Sequence, residues 1–127
     1  MIGVTAARTA ALGRYGEDVA ARYLSQSGMR VLERNWRCRA GELDIIALDG
    51  ETIAVCEVKT RTEHGIQEPA EAITPAKAER LVVLAERWAS ERWPEPLPMG
   101  GIRIDVLCVL HGGAGPARVR HLRGAVG

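Results

Sequence analysis

The sequence predicts one α/β domain in which helices flank a mixed β-sheet, with the elements in the order α-β-β-β-α-β. Apolar residues recur at helical spacing in two separate segments. A strong two-residue turn signal joins two strand-like runs, and a nearly continuous apolar run follows the second helical segment. The chain has 127 residues, so we expect a single domain over residues 1–127, with its core from about 9 to 110.

The first helix is predicted from Thr9 to Ser27. Its apolar side chains recur every three or four positions and would form one stripe against the sheet: Leu12, Val19, Ala20, Tyr23 and Leu24. Gly28 follows as the helix stop, because glycine readily adopts the left-handed conformation that ends many helices. The next segment, Met29–Trp36, is predicted as the first strand.

A hairpin is predicted next, from the strands Glu42–Leu48 and Glu51–Thr60. Asp49-Gly50 lies between them, and this dipeptide is a strong signal for a two-residue hairpin turn. The first three strands would therefore form an antiparallel meander.

The second helix has the clearest signals. Thr74 suits the N-cap, Pro75 suits the first helical position, and an apolar stripe continues to about Trp93. The segment from Arg61 to Ile73 shows no period and is predicted as a loop. After the helix we expect a strand buried on both faces, then a glycine-rich tail over 111–127 with a short edge strand: Ile102–Leu110 and Ala117–Leu122.

Composition argues against several classes of protein. The net charge of +1 argues against a strongly basic nucleic-acid-binding protein, although basic residues cluster near the acidic residues of the hairpin. Three widely spaced cysteines without a Cys-x-x-Cys pair argue against a disulfide framework or a zinc knuckle, and they favour a reducing cytoplasm. No apolar run has the length of a signal peptide or a membrane span, so we expect a soluble cytoplasmic protein.

The hairpin places acidic residues on one face. With Asp49-Gly50 at the centre of the turn, Leu48 pairs with Glu51, and Glu42 falls opposite Glu57. Alternation then puts four charged side chains on the same side of the ribbon: Glu42, Asp44, Glu57 and Lys59. The other side would offer an apolar surface to a helix: Leu43, Ile45, Ala47, Ala54, Cys56 and Val58.

Directly opposed carboxylates destabilise a sheet, and a divalent cation would remove the repulsion. Magnesium is usually bound by one or two carboxylates, with water and substrate phosphate completing its coordination. Lys59 would point at the same phosphate and stabilise the charge that develops as water attacks. The neighbouring carboxylates would also keep Lys59 protonated.

The same charges could instead face solvent as ordinary ion pairs, with Lys59 neutralising Glu57. The apolar residues that flank them argue against this alternative, because an exposed ribbon would be more polar. Glu42 points to the site face, but its alternative roles are to support the metal ligands without binding the metal or to pair with Arg37 or Arg39.

The order of an acidic residue, a short gap and Glu-x-Lys resembles the PD-(D/E)xK nuclease motif, here Asp44 followed by Glu57-Val58-Lys59. Further segments between Gly13 and Leu110 make the chain similar to the YraN-like family of small bacterial proteins: Gly16-Glu17, Asn35-Trp36-Arg37, Gly41-Glu42-Leu43-Asp44, Thr60-Arg61, Lys77 and Arg103-Ile104-Asp105-Val106. The α-β-β-β-α-β order likewise resembles the restriction-endonuclease-like core. One position departs from the family pattern, since Ile66 stands where an aromatic residue is usual.

The resemblance implies a nuclease site in which Asp44 and Glu57 hold Mg²⁺ or Mn²⁺ and Lys59 assists hydrolysis. Glu17 matches an additional helix carboxylate of the archaeal Holliday-junction-resolvase branch, which implies a catalytic and metal-binding role. A solvated helix flank is the alternative for Glu17. Candidate contacts to nucleic acid come from four basic residues: Arg37, Arg39, Arg61 and Lys77. For Lys77, a solvated side chain in the first helical turn is the alternative.

The leading hypothesis is therefore a magnesium-dependent nuclease acting on DNA, with branched or damaged DNA as candidate substrates and a homodimer as a candidate assembly. The first alternative is a catalytically silent nucleic-acid-binding or adaptor module that keeps the fold. The second alternative is a protein-interaction scaffold, for which an exposed face of the second helix bearing Trp88 or Trp93 would be the clue.

Overall fold

The computed structural model describes residues 2–62, 73–112 and 115–125, with side chains from residue 10 onward. Within these ranges the chain forms two helices and five strands: α1 (Ile2–Gln26), β1 (Arg30–Cys38), β2 (Gly41–Asp49), β3 (Thr52–Thr62), α2 (Pro75–Arg92), β4 (Ile102–His111) and β5 (Arg118–Leu122). Most of the predicted loop before α2, including the departure at Ile66, lies outside the described residues.

The five strands form one mixed sheet in the order β1-β2-β3-β4-β5. β3 and β4 are parallel, and the other neighbouring strands are antiparallel. Parallel neighbours require a long crossover, and α2 lies in the connection between them. The predicted α/β class, the mixed sheet and the short edge strand are confirmed.

One helix covers each face of the sheet. On one face, Ala20 and Leu24 of α1 belong to the same buried cluster as Cys56 of β3. On the other face, Leu81 of α2 is buried in a cluster with Val55, the neighbour of Cys56 in β3. Because successive residues of β3 are apolar on both sides, the strand needs cover on both faces. The predicted flanking helices therefore lie on opposite faces of the sheet.

The helix ends follow their sequence signals, with one extension. Thr74 caps α2 as predicted, and its Oγ1 accepts a hydrogen bond from the Lys77 backbone N at 3.1 Å. Gly28 follows α1 with a φ of +90°. α1 begins at Ile2, earlier than the predicted Thr9, since the alanine-rich segment there has high helix propensity. Over the described residues, neither helix combines the length and hydropathy needed to cross a bilayer.

The turn between β2 and β3 lies one position later than predicted. Gly50 and Glu51 form the loop, and Asp49 pairs with Thr52. Gly50 has a φ of +59°, which glycine adopts at little cost. The Glu51 carbonyl accepts a hydrogen bond from Gly100 N at 2.8 Å, so it is engaged by a neighbouring turn and not by β2. The predicted turn at Asp49-Gly50 is therefore wrong.

This shift changes the partners of the acidic residues. The pairing of β2 with β3 runs from Asp49 to Ile45, which pairs with Cys56. One further step in this register places Asp44 opposite Glu57, whereas the prediction placed Glu42 there. The predicted pair of Glu42 with Glu57 is wrong, and the two motif carboxylates are closer together than expected.

The tryptophans near the end of α2 do not form an exposed face. Trp88 is 2% exposed, and its Nε1 donates a hydrogen bond to Glu33 Oε1 at 2.9 Å. Trp93 packs partly buried against the same cluster and donates to the Pro96 carbonyl at 3.2 Å. Neither tryptophan therefore provides the exposed apolar face that the scaffold hypothesis requires.

Asp105 of β4 is fully buried and anchors a polar network on the α1 face. Arg103 Nε and Nη2 donate to its two carboxylate oxygens at 2.7 and 2.9 Å, and Gly124 N donates at 3.1 Å. His121 Nε2 lies 2.8 Å from Asp105 Oδ2, and its Nδ1 lies 3.1 Å from the Tyr23 hydroxyl. The network therefore connects β4, β5 and α1 through hydrogen bonds.

Candidate metal centre

Asp44 lies at a break in the strand alternation of β2. Leu43 packs against α2, whereas Ile45, two residues further on, packs against α1. A regular strand would place both on one face. Opposite this point in β1, Asn35 has a φ of +54°, a left-handed conformation that asparagine tolerates better than most residues. The prediction that Leu43 lies on the same side of the ribbon as Ile45 is therefore wrong, and Asp44 occupies the position where β2 changes sides.

The carboxyl groups of Asp44 and Glu57 form a hydrogen-bonded pair, called the acidic pair below. Asp44 is half-buried, and its Oδ2 accepts a hydrogen bond from the Val58 backbone N at 2.9 Å. The Glu57 side chain is 11% exposed. The pair is thus fixed by the pairing of β2 with β3, and the structure brings these two predicted site residues together.

The ordinary pKa values of the acidic pair are perturbed in the folded chain. Burial raises the pKa of Asp44 to about 8, and the hydrogen bond and charge of Glu57 add to the effect. Burial also raises the pKa of Glu57, but hydrogen bonds with Asp44 and Lys77 and the lysine charges outweigh it, so that pKa lies below its ordinary value. The pKa values of the two carboxyl groups are therefore shifted in opposite directions, and the pair titrates as a unit. Burial and mutual repulsion oppose the ionisation of both groups together.

Two lysines lie beside Glu57. Lys77, from the first turn of α2, places Nζ 2.6 Å from Glu57 Oε2, and the Lys59 amino group contacts Lys77. Burial opposes the charge of Lys77, but its hydrogen bonds with Glu57 and Lys59 raise its pKa above the ordinary value. Burial and the contact with Lys77 lower the pKa of Lys59. The charge of Glu57 favours the protonated form of Lys59, as expected, but burial and the contact with Lys77 outweigh it.

Glu17 approaches the site from α1. With Asp44, Lys59 and Arg61 it lines a cavity of about 220 Å³ beside β3. Burial raises the pKa of Glu17, against a hydrogen bond with Asn35 that lowers it. Asn35 thereby connects β1 to the site, and sequence reasoning did not identify it as a site residue. An asparagine inside a predicted strand was the available signal, because asparagine often marks a break in regular structure.

Gly16 sets the distance between α1 and the site. It is buried, and a Cβ at this position would overlap the Thr60 side chain of β3. The missing side chain lets the helix backbone lie directly against β3, one residue before Glu17. The close approach of α1 therefore positions Glu17 at the cavity that Asp44 lines.

The predicted phosphate-contacting arginines lie at different distances from the acidic pair. Arg61 lines the cavity beside Asp44, and its Nη1 donates to the Thr60 carbonyl at 3.0 Å. Arg37 is exposed, with Nε 3.0 Å from Glu42 Oε2, so Glu42 serves as an arginine partner, which was its alternative role. Arg39 is exposed in the turn between β1 and β2.

A second cavity, of about 230 Å³, opens on the α2 side of Glu57. Lys77 and Arg80 both line it, since residues three apart on a helix share a face. Sequence reasoning missed Arg80, and its spacing from Lys77 in a clearly predicted helix was the signal that identifies it. The acidic pair therefore lies between two cavities, each bordered by basic side chains.

The donor set fits a magnesium or manganese ion better than a closed protein site. Within the described ranges, no three side chains among histidine, cysteine, aspartate and glutamate come together as a metal-binding group. Two adjacent carboxyl groups match the way magnesium is usually held, by one or two carboxylates with water and substrate phosphate. A structural zinc site would need four protein ligands. Asp44 and Glu57 would therefore hold the ion, whereas Glu17, which was predicted as a third ligand, lines the neighbouring cavity and does not join them in a three-ligand group within the described residues.

Comparison with known proteins covers the whole of this site. The family model described as "Uncharacterised protein family UPF0102" matches residues 16–109, which run from α1 to β4. A UPF0102 protein of Streptomyces griseus is 54% identical over 114 residues, which cover 90% of this chain and 94% of that protein. A UPF0102 protein of Acidothermus cellulolyticus is 46% identical over 132 aligned positions, covering 98% and 99%. The chain belongs to the UPF0102 family, the YraN-like family that its motifs resemble.

Proposed function

We propose that the chain is a Mg²⁺- or Mn²⁺-dependent nuclease that hydrolyses phosphodiester bonds in DNA. The acidic pair carries the proposal. Asp44 and the almost buried Glu57 lie together on β2 and β3, and each lines a cavity that basic side chains border. Two adjacent carboxyl groups whose pKa values are shifted in opposite directions, beside such cavities, are typical of a site that concentrates negative charge for a metal.

The order of the elements supports the same function. The acidic residues lie on β2 and β3, which follow α1 and precede α2 in the chain. This order resembles the restriction-endonuclease-like core. Glu17 on α1 resembles the extra carboxylate of the Holliday-junction-resolvase branch, which supports branched DNA as the substrate. A homodimer would place two such sites on two strands of that DNA.

Each side chain of the site has a separate role in the proposed reaction. Asp44 and Glu57 hold the cation, with Glu17 adding charge from α1. When bound, the cation stabilises charge on the phosphate and lowers the pKa of the attacking water. Lys59 lies in the cavity beside Asp44, and its lowered pKa suits an amine that exchanges a proton or stabilises the phosphate. Flanking phosphates are contacted by basic residues around the site: Arg37, Arg39, Arg61 and Lys77.

The test is cleavage of a four-way DNA junction, plasmid DNA and RNA by the purified chain with Mg²⁺ or Mn²⁺. We expect Asp44→Ala to abolish cleavage of the DNA substrates and leave the fold intact. Asp18→Ala is the matched control, because Asp18 is an exposed aspartate of α1 that pairs with Arg34 at 2.7 Å. A chain that cuts none of these substrates would overturn the proposal.

One observation favours a second candidate, a catalytically silent nucleic-acid-binding or adaptor module in the cytoplasm. Lys77 already neutralises Glu57, so the acidic pair has a stable arrangement without a metal. A silent module would bind nucleic acid in a salt-dependent way without turnover, and Asp44→Ala would leave that binding unchanged. The cleavage assay and a binding titration at two salt concentrations separate the two candidates.

A further inference from the structure

Lys77 occupies the place beside Glu57 where a cation would bind. Its Nζ lies 2.6 Å from Glu57 Oε2, and the Glu57 side chain is only 11% exposed. A lysine in the first turn of a helix opposes the helix dipole. The ion pair with Glu57, which comes from a different element, therefore holds this side chain in position.

We propose that Lys77 is a displaceable counter-ion, which neutralises Glu57 in the metal-free chain and moves to a substrate phosphate when a divalent cation binds the acidic pair. Lys77 acts in this way only if the acidic pair holds a metal, as the proposed function requires. A magnesium ion would lie about 2.0 to 2.1 Å from a carboxylate oxygen. The ammonium group of Lys77 would then repel it strongly across the same carboxylate. Lys77 must therefore leave Glu57 for the cation to bind well.

The surroundings of Lys77 allow this movement. Its side chain is 38% exposed, and a lysine has a long flexible stem, so the ammonium group can rotate away without a change in α2. The cavity that Lys77 and Arg80 line opens beside Glu57. A phosphate in that cavity would meet two positive charges from one face of α2, next to the metal. Metal binding and phosphate binding would thus be coupled through one side chain.

The direct test is Mn²⁺ affinity measured by isothermal titration calorimetry on the full chain. We expect Lys77→Met to bind Mn²⁺ on the order of tenfold more tightly, since a hydrogen-bonded ion pair no longer has to be broken. Lys77→Arg should restore nearly the original affinity. Arg87→Met removes the same charge from α2 at an exposed position paired with Glu91, and it should change nothing. Unchanged or weaker Mn²⁺ binding by Lys77→Met would overturn the proposal.

Thermal unfolding shows that each variant is folded before its affinity is compared. Lys77→Gln, which keeps a polar group beside Glu57, replaces Lys77→Met if the methionine variant does not fold. The same tighter binding of Mn²⁺ is expected from it, and the same absence of change would count against the role of Lys77.

A second measurement tests whether Lys77 contacts a DNA phosphate when the metal is bound. The affinity for a duplex with hydrolysis-resistant phosphorothioate linkages is measured at several salt concentrations, with and without Mn²⁺. With Mn²⁺, Lys77→Met should reduce the salt dependence by about one phosphate contact, and without Mn²⁺ it should not. An equal effect in both conditions, or none in either, would overturn the coupling.

Metal affinity and DNA cleavage distinguish this proposal from the proposed function. Tighter Mn²⁺ binding by Lys77→Met, in a chain whose wild type cuts no DNA, would support the counter-ion and overturn the nuclease. Cleavage by the wild type, together with unchanged Mn²⁺ affinity in Lys77→Met, would support the nuclease and overturn the counter-ion role of Lys77.

Discussion

At the residue scale, the candidate site depends on a conflict between burial and charge. Asp44 and Glu57 are neighbours on adjacent strands, where two ionised carboxylates would repel each other. The chain reduces this repulsion by raising the pKa of Asp44, which favours its neutral form, and by pairing Glu57 with Lys77. Both devices offset negative charge at the place where a divalent cation would bind.

Replacing Asp44 with asparagine is expected to stabilise the metal-free chain at alkaline pH. The pKa of Asp44 is about 8 in the folded chain, against an ordinary value of 3.8, so the folded state binds this proton more tightly. That contribution to stability is complete below about pH 4 and is lost as the pH rises through about 8. Asparagine is neutral throughout, so the free energy of unfolding should exceed that of the wild type by about 2 kcal/mol near pH 8.5, allowing for solvent screening. Urea unfolding without divalent ions measures it.

Two outcomes check the origin of this effect. The advantage of Asp44→Asn should shrink steadily toward about pH 4, where Asp44 of the wild type is protonated in both states. Glu57→Gln is the matched variant, and it should lose stability because Lys77 is left without its anion. Equal stability of Asp44→Asn and the wild type near pH 8.5 would contradict the assignment of the proton to Asp44.

The sequence identified the acidic pair but not what holds it. Asp44 and Glu57 follow from a short motif and strand alternation, which depend only on local spacing. The ion pair of Lys77 with Glu57 joins residues from a helix and a strand, and no local pattern specifies that contact. Asn35 was missed for a different reason, since a left-handed residue inside a strand contradicts the regular periodicity on which strand prediction depends.

At the scale of elements, the close contact between α1 and β3 controls the α1 side of the site. Gly16→Ala is expected to destabilise the chain by about 2 kcal/mol, because the added Cβ would overlap Thr60. Alanine normally stabilises a helix relative to glycine, so the sign of the change is informative. Thermal or urea unfolding provides the measurement.

Gly13→Ala is the control within the same helix. A Cβ at Gly13 meets no atom within 4 Å, so this variant should gain about 0.5 to 1 kcal/mol. Thr60→Ala should recover part of the loss in Gly16→Ala, because it removes the overlapping hydroxyl. Similar gains for both glycine variants would show that α1 does not depend on Gly16 for its position.

The elements were predictable where one residue carried the signal. Thr74 and Pro75 mark the start of α2 through capping chemistry that acts within one helical turn. The hairpin turn was placed one residue early, because the Asp-Gly preference does not include the distant hydrogen bond from Gly100 to Glu51. Contacts between residues far apart in the chain decide such cases, and a single sequence does not display them.

At the scale of the whole molecule, the described residues contain two polar regions that differ in burial and in hydrogen bonding. The acidic pair lies between the cavities of α1 and α2, and it is partly open to solvent. The Asp105 network is buried and joins β4, β5 and α1. The first holds carboxyl groups that compete for a proton, and the second holds a carboxylate whose hydrogen bonds are satisfied. We therefore expect the first to bind ligands and the second to stabilise the fold.

Asp105→Asn tests this division. Burial raises the pKa of Asp105, but His121, Arg103 and the Gly124 N–H outweigh it and lower that pKa to about 2. The contribution to stability is therefore present above about pH 4 and is lost as the pH falls through 2. At neutral pH we expect Asp105→Asn to lower the free energy of unfolding by about 3 kcal/mol, because Arg103 loses a buried partner. Urea unfolding measures the loss, and calorimetry should find Mn²⁺ affinity unchanged.

Asp49→Asn is the control that isolates burial. Asp49 Oδ2 accepts a hydrogen bond from the same Arg103 at 2.9 Å, but its side chain is 27% exposed. Loss of the Asp49 carboxylate should lower the free energy of unfolding by less than about 1 kcal/mol, since ion pairs that remain open to solvent contribute little. A large loss of Mn²⁺ affinity in Asp105→Asn would contradict the separation of the two regions, because it would mean that the buried network positions the acidic pair as well as the edge of the sheet.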